Sequence, residues 1–168
     1  MIYNTSMIKV FITGGTIDWI DSDTGRKNET SVIPSLLERA NITVDYLTEL
    51  LMMKDSREVT QEDREFIFKK CQECAEDKIV ITHGTMTMVD TAKYLGLRNI
   101  PKTIILTGAM ETAVGNEVEA AFNLGFAIAN VQNLKPGVYI AMNGKLFDWD
   151  KTHKNLKRKC FEENTAAV

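Results

Sequence analysis

Two stretches of this sequence are almost alike, Ile8-Lys-Val-Phe-Ile-Thr-Gly-Gly-Thr16 and Lys78-Ile-Val-Ile-Thr-His-Gly-Thr85. Each is a short, mainly apolar and β-branched run that ends in threonine and glycine. Runs of this kind predict strands that are buried on both faces of a sheet, here over residues 8–13 and 78–82. The glycines then mark the points where the chain leaves the sheet.

Stretches with helical periodicity separate these runs from further apolar ones. Helices are predicted over residues 32–40, 60–77, 88–97 and 117–130. Further strands are predicted over residues 42–51, 103–107 and 138–142, with a short extension at 146–147. Strands that alternate with helices indicate an α/β fold, with three α/β/α layers and a mostly parallel sheet of about five strands.

The composition indicates one folded domain over residues 1–168, with 44% hydrophobic and 26% charged residues. A chain of this size buries about 70% of the surface that its unfolded form exposes, which is enough for one core. No apolar run approaches the ~20 residues of a membrane-spanning helix, so no membrane partner is expected. The start of the chain lacks the basic, apolar and cleavage segments of a secretory signal, and we therefore expect a cytoplasmic location.

Charge and cysteine content argue against several other classes. The net charge is −3, and residues 151–159 carry five cations and no acid. Because the rest of the chain is acidic, no nucleic-acid partner is expected. Cys71 and Cys74 form a CxxC pair, but no second ligand pair follows at zinc-binding spacing, so helix packing is expected and no metal. The sequence also lacks GxGxxG and GK[ST] motifs, and no nucleotide cofactor is expected.

The residues that follow the predicted strands are the most informative for function. Thr16 and Thr85 each follow a glycine at a strand end, and glycine also lies within two residues of the ends at 107 and 142. Parallel sheets bind ligands outside the carboxyl ends of their strands, where glycine exposes backbone N–H groups. One alternative is that the glycines only turn the chain and the threonines cap helices. The repetition of the pattern favours a ligand site.

Catalysis by threonine requires a further residue, because its hydroxyl is a poor nucleophile without a base. His83, His153 and any lysine whose pKa is lowered by burial are candidates for that base. The residues alone leave the choice among them open.

Two segments carry a family resemblance, Ile12-Thr-Gly-Gly-Thr-Ile17 and Ile81-Thr-His-Gly-Thr-Met-Thr-Met88. They resemble the two signature segments of the bacterial-type L-asparaginases, a family that also includes glutaminase-asparaginases. Three further segments follow in the family's order: Asp55-Ser-Arg-Glu-Val-Thr60, Leu106-Thr-Gly-Ala-Met110 and Ala141-Met-Asn-Gly144. The resemblance covers almost the whole chain and implies the Rossmann-like or flavodoxin-like fold of the asparaginase N-terminal domain, without metal or cofactor.

The resemblance implies a role for each matching residue. Thr16 would be the nucleophile that forms an acyl-enzyme, and Thr85 would position the attacking water or contribute directly. Counted from Met142-Asn143, the family's lysine falls on Lys154, where a neutral amine beside Thr85 would accept a proton; the alternative is one more solvated charge. The resemblance implies that Ser56, with Asp55 beside it, binds the α-carboxylate, and that backbone N–H groups around Thr16 and Thr85 form the oxyanion hole. The Ala109 carbonyl would receive the amide nitrogen, and Gly15 and Gly84 also belong to the implied binding set.

Three features depart from the family pattern. Met86 occupies the position of an aspartate that holds the substrate's α-ammonium, so another acid replaces it, the substrate differs, or catalysis is weak. Glu29 stands at the spacing of a lid tyrosine and is a base, a replacement acid or a solvated loop residue. The resemblance covers only the family's N-terminal domain, so we expect a chain without the C-terminal domain that completes its pocket itself or in a homo-oligomer, a dimer or tetramer.

The sequence therefore predicts an L-asparaginase-like amidohydrolase that acts on a small molecule. It would hydrolyse the side-chain amide of asparagine, or of a related compound, to the acid and ammonia. The alternative is a catalytically impaired relative that binds an amino acid or similar small molecule, because Met86 replaces the aspartate.

Overall fold

Six strands form one sheet, and their order determines where a ligand site can form. The computed structural model describes residues 7–21, 23–114 and 116–164. The strands are β1 (Ile8–Gly14), β2 (Tyr46–Lys54), β3 (Lys78–Thr82), β4 (Thr103–Thr107), β5 (Gly137–Met142) and β6 (Lys145–Asp148). Their order is β2-β1-β3-β4-β5-β6, with the first five parallel and β6 antiparallel to β5. The predicted, mostly parallel α/β sheet is confirmed, and the extension at 146–147 is a sixth strand.

Helices cover both faces of this sheet. They are α1 (Ile33–Arg39), α2 (Gln61–Glu73), α3 (Met88–Gly96) and α4 (Val118–Asn133). Val10 and Ile105 pack on one face with α1 and α4, whereas Phe11 and Ile104 pack on the other with α2 and α3. Because successive side chains of a strand point to opposite faces, the central strands contribute to both cores. The predicted three-layer arrangement is confirmed.

The connection between β4 and β5 has the opposite hand to the other three. α2 and α3 carry the chain towards β5 across one face, but α4 continues in the same direction across the other face. Parallel crossovers are right-handed in about 98% of cases, which makes β4-α4-β5 the left-handed exception. As a consequence, α4 lies over the same face as α1, and its polar side chains reach the carboxyl ends of β4 and β5.

Local signals explain the start of α2, whereas several predicted boundaries are wrong, among them the end of α4, which lies at Asn133 rather than at residue 130. The Thr60 hydroxyl accepts the Asp63 N–H, and the Asp63 carboxylate accepts the Thr60 N–H at 2.8 Å, which is a capping box. α2 ends at Glu73 rather than at residue 77, and β2 runs from Tyr46 to Lys54 rather than from 42 to 51. β2 is an edge strand and largely solvent-accessible, so its apolar pattern is weak.

A second, separate hairpin contains the basic segment 151–159, which the sequence analysis did not assign to any element. It consists of β7 (Thr152–Asn155) and β8 (Cys160–Glu163), paired antiparallel. The buried Phe161 ring lies 6.5 Å from the Phe147 ring on β6, measured between centroids. Trp149, just before the hairpin, lies so close to Gly96 on α3 that a Cβ there would be 2.3 Å from the indole. These contacts fix the hairpin against the core formed by α2 and α3.

Two helical glycines provide a matched test of this docking. Gly125→Ala should raise the free energy of unfolding by about 0.5–1 kcal/mol, because its Cβ position on α4 is open and alanine is the better helix former. Gly96→Ala should lower it by about 1–3 kcal/mol, because the new methyl group displaces Trp149. Urea unfolding measures both values. An equal increase in the free energy of unfolding for the two substitutions would contradict the packing of Trp149 on α3.

Candidate active site

The loops that follow β1 and β3 are in direct backbone-to-backbone contact. The two strands are hydrogen-bonded neighbours at the switch in strand order, where doubly wound sheets bind ligands. A Cβ on Gly15 would lie 2.4 Å from Gly84 Cα, and Gly15 has a φ of +88°, which favours glycine. This contact brings together the segments that carry Thr16, which is half-buried, and Thr85, which is buried.

The loop that leaves β2 joins the same site. A Cβ on Gly84 would lie 2.7 Å from the Oγ of Ser56, whose side chain is buried. The Gly15 N–H donates to the Lys54 carbonyl at 2.8 Å, and the Thr87 hydroxyl donates to the Ser56 carbonyl at 2.6 Å. The structure therefore brings the predicted binding residues Gly15, Gly84 and Ser56 together.

Buried threonines near the carboxyl ends of the strands donate hydrogen bonds to neighbouring strands. These bonds fix the positions at which the following loops begin. The Thr13 hydroxyl donates to the Thr82 carbonyl at 2.7 Å, and the Thr107 hydroxyl donates to the Ala141 carbonyl at 2.8 Å. The His83 N–H donates to the Thr107 carbonyl at 2.8 Å, which continues the β3–β4 pairing beyond β3. These hydroxyls have a structural role, so threonine in this chain does not by itself indicate catalysis.

Neither histidine is placed to act as a base. His83 is fully buried, and its Nδ1 and Nε2 lie 2.8 Å from the Gly84 carbonyl and 2.9 Å from the Thr91 hydroxyl. Burial lowers the pKa of His83 to about 4, so the ring is neutral, donates from Nδ1 and accepts at Nε2. His153 is exposed on β7 and contacts Asn164. His83 is therefore part of the scaffold.

Lys154 on β7 reaches the site, as the resemblance implied. Its Nζ lies 2.7 Å from the Thr85 Oγ1 and 3.2 Å from the Met86 sulfur. Burial is the main cause that lowers the pKa of Lys154, and the cations Arg57 and Lys159 lower it further. Among the described residues no carboxylate forms an ion pair with this ammonium group.

Asp55, the predicted neighbour of Ser56, is bound by an arginine. Its carboxylate accepts the backbone N–H of Arg57 at 2.9 Å and the guanidinium Nη2 at 2.6 Å. The same guanidinium pairs with Asp21 and Asp23, which lie on the loop after β1. These ion pairs attach that loop to the end of β2, and Asp55 carries the attachment.

Asp18 links the two ends of the same loop, and the sequence analysis missed it. It is fully buried in the short 3-10 turn that begins at Thr16. Its Oδ1 accepts the Ser31 hydroxyl and the Val32 N–H, both at 2.8 Å, while its Oδ2 has no partner among the described atoms. Burial raises the pKa of Asp18, and these two bonds oppose the rise. Glu29, between these ends, is exposed.

Polar side chains of α4 hold the loops after β4 and β5. Asn123 donates to the Gly108 carbonyl at 2.9 Å and accepts the Asn143 N–H at 2.9 Å. Glu119 accepts the Met110 N–H at 3.1 Å and so fixes the loop that contains the buried Ala109. Asn123 could have been identified from the sequence, because a polar residue on the apolar face of a helix usually has a buried hydrogen-bond partner.

The described residues add two facts on metals and membranes. No group of three His, Cys, Asp or Glu side chains within them is placed to hold a metal ion. None of the helices they form has the length and apolarity needed to cross a bilayer. Cys71 is buried in the core between α2 and the sheet, in agreement with the predicted packing role.

Comparisons with known proteins match the segments described above. L-asparaginase 2 of Escherichia coli is 27% identical over 155 residues, which are 84% of this chain and 44% of that protein. L-asparaginase of Thermococcus kodakarensis is 32% identical, over 80% of this chain and 43% of that protein. One of the subunits of the glutamyl-tRNA(Gln) amidotransferase of Methanococcus vannielii is 31% identical, over 86% of this chain and 36% of that protein. The chain spans less than half the length of these relatives.

Solved structures and the family comparison agree with these relatives. A probable cytoplasmic L-asparaginase from Campylobacter jejuni superposes with a TM-score of 0.80 and 31% identity, covering 94% of this chain and 53% of that one. The thermostable L-asparaginase from Thermococcus kodakarensis gives a TM-score of 0.79 at 28% identity, covering 94% and 51%. Residues 7–166 match the family described as Asparaginase, N-terminal, and the chain therefore belongs to the asparaginase family.

Proposed function

We propose that this chain carries the reaction centre of an L-asparaginase-like amidohydrolase, with Thr16 as the nucleophile. The observation that carries the proposal is the 2.7 Å contact between Lys154 Nζ and Thr85 Oγ1 where the β1 and β3 loops meet. A half-buried lysine without a carboxylate partner loses its proton more readily than a solvated one. It is therefore suited to exchange a proton with the hydroxyl that it touches.

The proposed reaction has two steps. In the first, Thr16 Oγ1 attacks the amide carbon, the new C–O bond forms an ester, and the C–N bond breaks to release ammonia, which carries away the threonine proton. In the second, water attacks the ester carbon, the acid product leaves, and the Thr16 hydroxyl is restored. In each step the neutral Lys154 amine takes the proton through Thr85 and returns it to the leaving atom.

Backbone and side chains around this pair supply the proposed binding groups. The Gly15 N–H is used by the Lys54 carbonyl, so the N–H groups of Thr16 and Thr85 are the proposed oxyanion donors. Ser56 is proposed to bind a substrate carboxylate, with Asp55 holding its loop in place. The Ala109 carbonyl is proposed to accept the amide nitrogen. Glu29 is proposed as a solvated loop residue, since it is exposed.

A binding protein without turnover is the competing function, and Met86 is the residue that favours it. The thioether has no charge with which to hold an amino-acid ammonium group. Ammonia release from asparagine, glutamine and related amides separates the two proposals. Binding of asparagine or aspartate in calorimetry, with no ammonia from a folded sample, supports the binding protein.

The wider setting is also a proposal. We infer a cytoplasmic enzyme that acts on a small-molecule amide and assembles as a dimer or tetramer. Size-exclusion chromatography with light scattering measures the assembly, and a monomer that retains full activity would contradict the expected role of a second copy.

Removal of the reacting groups should abolish ammonia release. Thr16→Ala, Thr85→Ala and Lys154→Met are each expected to lower kcat/KM by about 10²–10⁴-fold, because each removes a nucleophile or a proton-transfer group. Lys151→Met is the matched control, since Lys151 is exposed next to the same hairpin and pairs with Asp148 at the surface. Its activity should stay within about twofold of the wild type. Equal losses for Lys151→Met and Lys154→Met would contradict the role of Lys154.

The pH dependence should follow the charge of Lys154. Because burial lowers the pKa of Lys154 and the neutral amine is the proposed base, kcat should rise with pH through a pKa below 10.5. Met86→Asp places a carboxylate beside Nζ, which favours the ammonium form, raises this pKa and moves the rise to higher pH. Met86→Leu adds no charge and should leave the rise in place. Profiles of kcat against pH for the three proteins provide the measurement; coincident profiles would rule out Lys154 as the base.

A further inference from the structure

We propose that this site selects a ligand that carries a carboxylate but no ammonium group, and that its substrate is the half-amide of a dicarboxylic acid. The inference rests on the proposed function and specifies the class of substrate. Its basis is the charge and the hydrogen-bonding capacity of the groups around the contact between Lys154 and Thr85.

The two side chains that the Lys154 amine contacts, Thr85 and Met86, are uncharged. The Lys154 ammonium lies between the Thr85 hydroxyl at 2.7 Å and the Met86 thioether at 3.2 Å. Met86 is 46% exposed, so it lies at the solvent-accessible edge of this contact. Arg57 and Lys159 add positive potential at Lys154, and no described carboxylate lies within ion-pair distance of it.

Three acids form ion pairs with Arg57. Asp55 is the inward one, with a side chain 7% exposed, and it accepts the Arg57 backbone N–H as well as the guanidinium. Asp21 and Asp23 pair with the outer nitrogens of the same guanidinium, and their side chains are 37% and 76% exposed. Both therefore lie closer to the solvent than the buried Asp55 does.

The carboxylate and the ammonium group of an amino-acid ligand would interact differently with this site. A carboxylate is attracted to the hydrogen-bond donors of the Thr85 hydroxyl and the Lys154 amine, which donate whether or not the amine is charged. An ammonium against Met86 would lose water and gain only a weak sulfur acceptor, with no carboxylate to compensate for its charge. A ligand without the ammonium group avoids this cost and keeps the attraction.

Matched pairs of amides test the inference, because their members differ only in the ammonium group. The pairs are asparagine with succinamate and glutamine with glutaramate. For the wild type we expect kcat/KM for ammonia release to be at least about tenfold higher for the ammonium-free member of a pair. Met86→Asp should reverse the preference, and Met86→Leu should preserve it. A wild-type preference for asparagine over succinamate would overturn the inference while leaving the proposed function intact.

Binding of the product acids gives a readout that needs no turnover. Isothermal calorimetry of the wild type with succinate and with aspartate should show tighter binding of succinate. If neither amide of a pair releases ammonia but succinate still binds more tightly, the proposed function fails and the selection against ammonium stands. If aspartate binds as tightly as succinate or more tightly, the selection is overturned whatever the activity. Because Met86 is exposed, its variants are expected to fold, and circular dichroism is the check on their folding.

Discussion

The direct contact between the backbones of Gly15 and Gly84 is the constraint on which the site depends. Any side chain at either position would strike a neighbouring loop, and a Cβ on Gly108 would lie 2.3 Å from the His83 carbonyl. The loops after β1, β3 and β4 are therefore positioned by covalent backbone geometry and by buried hydrogen bonds. Groups fixed in this way need little reorganisation when charge develops in a reaction, which is the condition for electrostatic catalysis.

The chemistry of the site also depends on a small element that the main sheet does not contain. The hairpin of β7 and β8 places Lys154 against Thr85, 69 residues earlier in the chain. Packing of Trp149 and Phe161 against the core holds that hairpin, so stability and reactivity are linked through its docking. Among the described residues the lysine has no carboxylate partner, and Met86 adds no charge beside it. Burial, with a smaller effect of the cations Arg57 and Lys159, lowers the pKa of Lys154 and suits it to the proposed role of base. The uncharged Met86 accounts for the expected selection against ammonium groups.

The sequence predicts the central strands well because burial on both faces gives them long apolar runs; residues 78–82 and 103–107 are strands with these same bounds. It places the edge strand β2 poorly and misses β7 and β8, which are short, polar and stabilised by tertiary contacts. For the site, the glycines that follow the strands could be predicted from their positions after the apolar runs, whereas Lys154 was assigned to the site by family resemblance alone. Asp18 has no local signal, because its role comes from partners that only the folded loop supplies.

Titration of the Lys154 amine tests the central claim most directly. NMR of protein with isotope-labelled lysine side chains follows each amine with pH, and the Lys154→Met variant assigns the signal. A lysine half-buried against Thr85 without a carboxylate partner should show a pKa below 10.5. A pKa of 10.5 or above would mean that Lys154 is solvated or ion-paired, and would contradict its proposed role as the base.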